Sequence, residues 1–207
     1  MKELFSPISF TTLGIDLLPV CLYLIQPKKS NFGKILFLFV LTSAFVQWAS
    51  FGLAINGYSN LGLVNFYIPV EFILLFFLFK QLLFGSPFVL FLKASTFLFL
   101  GVYLADFTLE SLMQHSIVFY RCIFIVLSII VFIRQLKTSA DQNEERRGFL
   151  YFNSAILIYF LGTIILFISF DKLNSSNMAI WVLHNIYEIL FKLIITYSIW
   201  QLPKISR

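Results

Sequence analysis

Seven stretches of about twenty apolar residues follow one another along this 207-residue chain, and no other feature constrains its fold as tightly. They cover about 7–26, 35–56, 62–84, 87–108, 114–136, 149–170 and 178–201. A helix rises ~1.5 Å per residue, so each stretch is long enough to cross the ~30 Å hydrocarbon layer once. Inside hydrocarbon every backbone amide needs a partner within the chain, which favours helix for segments of this length. Only 12% of the residues are charged and 59% are hydrophobic, too few charges to cover a water-facing surface. The expected fold class is all-α: an integral membrane bundle of seven transmembrane helices, one domain over residues 1–207.

The basic residues give the bundle a direction. Lys28, Lys29 and Lys34 follow the first span, Lys80 borders the third, Arg134, Lys137, Arg146 and Arg147 flank the fifth loop, and Lys204 and Arg207 end the chain. The opposite side holds Lys2 and Lys172 against Glu3, Asp106, Glu110 and Asp171. Lys and Arg mark the cytoplasmic side, so the N-terminus is expected outside and the C-terminus in the cytoplasm. The first span is read as a membrane helix and not a secretory signal, because its positive charges follow the apolar stretch. The net charge of +5 is thus a topology signal. No basic face or RNA-binding motif suggests nucleic acid as a partner. The expected location is a bacterial inner (cytoplasmic) membrane, crossed many times, with the lipid bilayer as the main contact.

Several chemistries find no support. Cys21 and Cys122 lie within spans and read as small apolar filler. His115 and His184 are the only histidines, too few for a hydrolytic zinc site, so no metal and no catalytic residue is assigned. The 27 phenylalanines are read as codon economy in an AT-rich genome, with no functional role. Pro19 and Pro69 are expected to break the first and third spans, and no internal duplication accompanies them. The chain is expected not to be an enzyme and to carry no cofactor.

The polar residues inside the spans carry the remaining information, since a charge near a helix centre costs about 2.5–3.5 kcal/mol on insertion scales. In the second span Ser43, Gln47, Ser50 and Ala54 recur every three or four residues, a stripe suited to close helix packing. The fifth aligns Gln114, Arg121, Ser128 and Gln135, and the sixth offers Ala155, Tyr159, Gly162 and Thr163. In the seventh, Trp181, His184, Asn185, Glu188, Lys192 and Thr196 share one arc, which must face protein or water. Glu188 and Lys192, at i and i+4, are expected to form an internal ion pair. Arg121 is the expected counter-charge for Glu71 or Asp16. Two readings of this set stand side by side. In one, the groups are structural ion pairs and hydrogen bonds; in the other, Asp16, Glu71, Arg121, His184 and Glu188 form a polar pocket, open to the outside, for a small ligand or a proton.

A lysine four residues after a carboxylate in a seventh helix is also found in microbial rhodopsins, where it carries retinal. Here Lys192 lies too far inward, "NFYIPVEF" lacks that family's arginine and aspartate, and the sixth span has no Trp-and-Pro wall.

Three other stretches, "YIPVEFILL", "AILIYFLGTIILF" and "IWVLHNIYEILFKLIITYSIW", resemble an uncharacterised seven-transmembrane-helix protein family common in Bacteroidota. The likeness runs from the third span onward. It matches Glu71 to an acid that follows a polar-aromatic stretch. It matches Trp181, His184, Glu188 and Lys192 to a Trp, a His and two amides. This chain has Glu and Lys where that family has amides, a complementary swap that favours a structural role for the two. Some family members sit beside two-component signalling genes, which implies a sensory or accessory role.

The expected function is a receptor-like or accessory signalling component acting through a cytoplasmic or membrane protein partner, with the 137–148 loop or the C-terminus as the docking surface. The alternative is a transporter, channel or pore, such as a membrane accessory of a bacterial defence system, with an oligomer possible.

Overall fold

The computed structural model of the chain describes residues 7–26, 30–108, 111–137, 144–168 and 178–202. Among them lie seven helices: α1 Pro7–Ile25, α2 Asn31–Ile55, α3 Leu61–Leu82, α4 Phe88–Asp106, α5 Gln114–Lys137, α6 Glu144–Ile168 and α7 Met178–Gln201. All seven are long and apolar enough to cross a membrane. Several residues of the charge pattern (Lys2, Glu3, Lys28, Lys29, Glu110, Asp171, Lys172, Lys204 and Arg207) lie outside the described residues, as do the middle of the 137–148 loop and the Trp181 side chain.

Helix ends depart from the apolar stretches where polar residues extend a helix. α2 starts at Asn31, ahead of residue 35, because the Ser30 hydroxyl accepts a hydrogen bond from the Gly33 amide at 3.1 Å. α6 starts at Glu144 and takes in the charged turn "EERR", which hydropathy does not register. Pro19 and Pro69 do not break their helices: α1 and α3 continue through both. A proline removes a single amide donor, which a helix packed on its neighbours tolerates. Gly57 and Gly85 occupy the left-handed region, at φ +77° and +73°, in the tight turns after α2 and α3.

Six helices close a ring. α1 packs on α2 and α7, α2 on α3, α3 on α5, α5 on α6, and α6 on α7. α4 stands outside this ring and braces the seam between α3 and α5. Phe99 of α4 stacks on Phe72 of α3 with ring centres 4.1 Å apart and meets Tyr120 of α5 edge-on at 6.1 Å. At the end of α4, Asp106 accepts hydrogen bonds from the Ser116 amide and hydroxyl, both at 3.0 Å, which caps the start of α5. Asn65 of α3 ties in the α4–α5 connection: its amide nitrogen donates to the Thr108 and Ser111 carbonyls, and its oxygen accepts from the Met113 amide.

One end of the ring is filled. Phe32 of α2 meets Phe149 and Phe152 of α6, and Phe79 of α3 meets both Phe124 of α5 and Phe152. The α2–α6 and α3–α6 contacts run across the ring, so its interior is solid at this level. Leu36, Leu75, Ile195 and Ile199 complete the layer, each fully buried. Part of the phenylalanine content therefore has a packing role that sequence reading did not assign. Lys34, Lys80, Arg134 and Arg147 all belong to this filled end, by their places at the ends of α2, α3, α5 and α6. The outward faces carry Leu24, Phe45, Phe97, Leu104 and Ile165, each at least 60% exposed, a surface matched to lipid. Cys21 and Cys122 are on these outward faces and do not fill the interior.

Candidate functional site

The other end of the ring holds a cavity of about 410 Å³. Its wall is built by α1, α2, α3, α5, α6 and α7, and no residue of α4 contributes to it. Ala54, Leu61, Leu112 and Phe167, near helix ends, line its upper part, while Phe39, Ser43, Phe191 and Lys192 line its deep part. The Ser43, Gln47, Ser50 and Ala54 stripe of α2 faces this space, so the stripe is a cavity wall and not a close-packing seam. The Ser50 hydroxyl has no hydrogen-bond partner among the described residues.

Glu71, Arg121, His184 and Glu188, four of the five residues read from the sequence as a pocket, line this one cavity. The fifth, Asp16, does not line it. Asp16 is fully buried on α1 behind Lys192, whose ammonium lies 3.0 Å from its Oδ1 and donates to the Ser43 hydroxyl at 2.7 Å. This corrects the expected Glu188–Lys192 ion pair. The i, i+4 spacing brings those two side chains near one another, but α1 packs along α7 and brings the Asp16 carboxylate closer to the ammonium than Glu188 comes. Glu188 instead accepts a hydrogen bond from the Gln47 amide nitrogen at 2.9 Å.

The second network joins α3, α5 and α6. The Tyr120 hydroxyl donates to Glu71 Oε2 at 2.6 Å, and Arg121 Nε donates to the same hydroxyl at 3.4 Å. Arg121 is thus joined to Glu71 through a phenol, and is not a counter-charge to Asp16. Its Nη1 donates to the Thr163 hydroxyl, which donates in turn to the Tyr159 carbonyl at 2.6 Å. The guanidinium carbon sits 4.4 Å from the centre of the Phe167 ring, 5.2 Å from Phe160, 5.3 Å from Tyr159 and 5.9 Å from Tyr120. These aromatic faces stabilise a cation withdrawn from water. His184 lies edge-on to Phe167 and Tyr159, with Nδ1 3.9 Å from Glu188 Oε2. That separation exceeds hydrogen-bond range, so the two attract strongly only when the imidazole is protonated.

Sequence reading missed Tyr120 and placed Gln47 only as packing. Tyr120 had one signal, its position beside Arg121. Nothing in one sequence shows that its hydroxyl reaches a carboxylate on another helix. The described residues contain no group of three His, Cys, Asp or Glu side chains placed to hold a metal. No protein-family model, curated protein or solved structure matches the chain.

Proposed function

We propose that this chain is a receptor-like protein of a bacterial inner membrane, which binds a small ligand in the cavity and signals its occupancy to a cytoplasmic partner. The carrying observation is that the cavity has one closed end. Its charged wall stops at Lys192 and Phe39, and beyond them the cross-ring phenylalanine layer fills the interior. A pore needs a continuous polar path, whereas a ligand site needs a pocket of roughly 300–1,000 Å³ with a few convergent polar groups. The volume and the wall described above support the second.

The basic residues at the filled end support an orientation with that end in the cytoplasm and the cavity facing outside. Each charged network joins three helices: Asp16–Lys192–Ser43 links α1, α7 and α2, and Glu71–Tyr120–Arg121–Thr163 links α3, α5 and α6. A ligand that competes for these partners shifts helices against one another, which gives the α5–α6 connection a signal to present. Thiol labelling tests the reading. In a Cys21→Ala/Cys122→Ala background, Ser50→Cys is expected to react with a membrane-impermeant maleimide added outside, and Leu36→Cys in the filled layer is expected to resist it from both sides. Labelling of Ser50→Cys from the cytoplasmic side alone, or equal labelling of Leu36→Cys, would overturn the proposal.

A further inference from the structure

We propose that the cavity takes a small organic monocation, its ammonium group docked on the Glu188 carboxylate. This rests on the cavity being a ligand site and adds the chemistry of the ligand. The observation behind it is an imbalance of charge. Three carboxylates, Asp16, Glu71 and Glu188, lie at or directly behind the wall, and two basic side chains, Arg121 and Lys192, face them. Lys192 is held by Asp16 at 3.0 Å, and Arg121 is linked to Glu71 through the Tyr120 hydroxyl. Glu188 has no Lys or Arg within ion-pair distance among the described residues. It is 5% exposed, its hydrogen-bond donor among the described residues is the neutral Gln47 amide, and His184 at 3.9 Å adds charge only by gaining a proton. A carboxylate this buried and held by a neutral donor is stabilised by any cation that reaches it, and it repels an anionic group brought to the same place.

The surroundings select among cations. A metal ion needs several ligating side chains converging on it, and no such group exists among the described residues. It would also leave most of the 410 Å³ unfilled. An amine with an apolar body fits both parts of the wall. Phe39, Phe51 and Phe191 also line the cavity, apolar surface that suits the hydrocarbon body of such an amine.

The test uses the full chain in lipid nanodiscs and three probes of similar size: phenethylammonium, phenethyl alcohol and 3-phenylpropionate. Binding is followed by titration calorimetry and by the shift in melting temperature. Phenethylammonium is expected to bind at least about tenfold more tightly than the alcohol, the size of one charge-assisted contact, and the carboxylate is expected not to saturate. Glu188→Gln is expected to abolish the preference for the ammonium while keeping the affinity for the alcohol, and Glu188→Asp to restore part of it. The order of the three probes on the unaltered chain decides the matter even where a variant fails to fold. Equal binding of the three, preference for the carboxylate, or no saturable binding of the ammonium overturns the inference. Labelling of Ser50→Cys then shows separately whether the outward cavity survives without it.

Discussion

The Asp16–Lys192 pair offers the sharpest test of the packing of α1 on α7. Lys192→Met removes the ammonium, keeps most of the stem, and leaves Asp16, 0% exposed, without its cation. Asp16→Asn leaves a 1%-exposed ammonium with the Ser43 hydroxyl as its described hydrogen-bond partner. Removing one member of a buried pair costs about 3–5 kcal/mol, because the remaining charge is neither solvated nor paired. Removing both leaves neither charge of the pair stranded, so Asp16→Asn/Lys192→Met is expected to cost less than the sum of the two single changes by several kcal/mol. The two changes then couple by several kcal/mol, beyond the ~0.5 kcal/mol within which independent sites add. A second cycle, Glu188→Gln with Lys192→Met, serves as the control. Glu188 already has the Gln47 amide, so its coupling to Lys192 is expected to be the smaller of the two. Unfolding in mixed micelles of rising dodecyl sulfate fraction, followed by far-ultraviolet circular dichroism, measures all of these. Additive effects in the first cycle, or a larger coupling in the second, would refute the assignment of Lys192 to Asp16.

Further perturbations probe other parts of the fold. A Cβ added at Gly162 would clash with the Tyr187 ring, so Gly162→Ala obliges that ring or its helix to give way and is expected to lower stability by about 1–3 kcal/mol in the same unfolding assay. An unchanged midpoint would contradict this contact. Asn65→Ala removes the three hydrogen bonds that hold the α4–α5 connection, and is expected to cost at least about 2 kcal/mol and to speed amide exchange in residues 111–116. Unchanged exchange there would count against the anchor. Tyr120→Phe deletes the hydroxyl between Arg121 and Glu71, and is expected to destabilise by about 1–3 kcal/mol in the unfolding assay. Glu71→Gln added to Tyr120→Phe is expected to recover part of that loss by removing the stranded charge. Reconstituted in a planar bilayer, the unaltered chain is expected to pass no steady current, because the Phe32, Phe79 and Phe152 layer blocks the ring. A reproducible conductance would sink the one-ended cavity.

Much of the architecture was legible in the sequence, because membrane-spanning segments announce themselves by composition alone. All seven helices fall on the apolar stretches, and the ends that moved, at Asn31 and Glu144, did so where polar residues continue a helix. Relations within one helix were also legible, since spacing fixes them: His184, Asn185, Glu188 and Lys192 of the polar arc of α7 do share one cavity wall. Between helices, the depth of Glu71, Arg121, His184 and Glu188 suggested a shared space, but the pairings were not legible. Lys192 has a carboxylate one turn away, which spacing reveals, and another at 3.0 Å on α1, which only packing reveals. The stripe on α2 reads the same whether it faces a neighbouring backbone or a void. The exclusion of α4 from the ring left no mark either, because a helix that meets lipid on most of its surface is as apolar as one that meets protein.

The phenylalanine layer has an electrical consequence. In a membrane under voltage the field concentrates across whatever is dry, and a water-filled cavity stays near the potential of the side it opens to. The drop in this molecule would therefore fall mainly between the level of Lys192 and the basic end, over the aromatic rings. A cation arriving at Glu188 crosses little of that field, so its affinity is expected to be nearly indifferent to membrane potential. Any charge forced past Phe79 and Phe152 would instead experience most of the ~2.3 kcal/mol per 100 mV that the full membrane imposes.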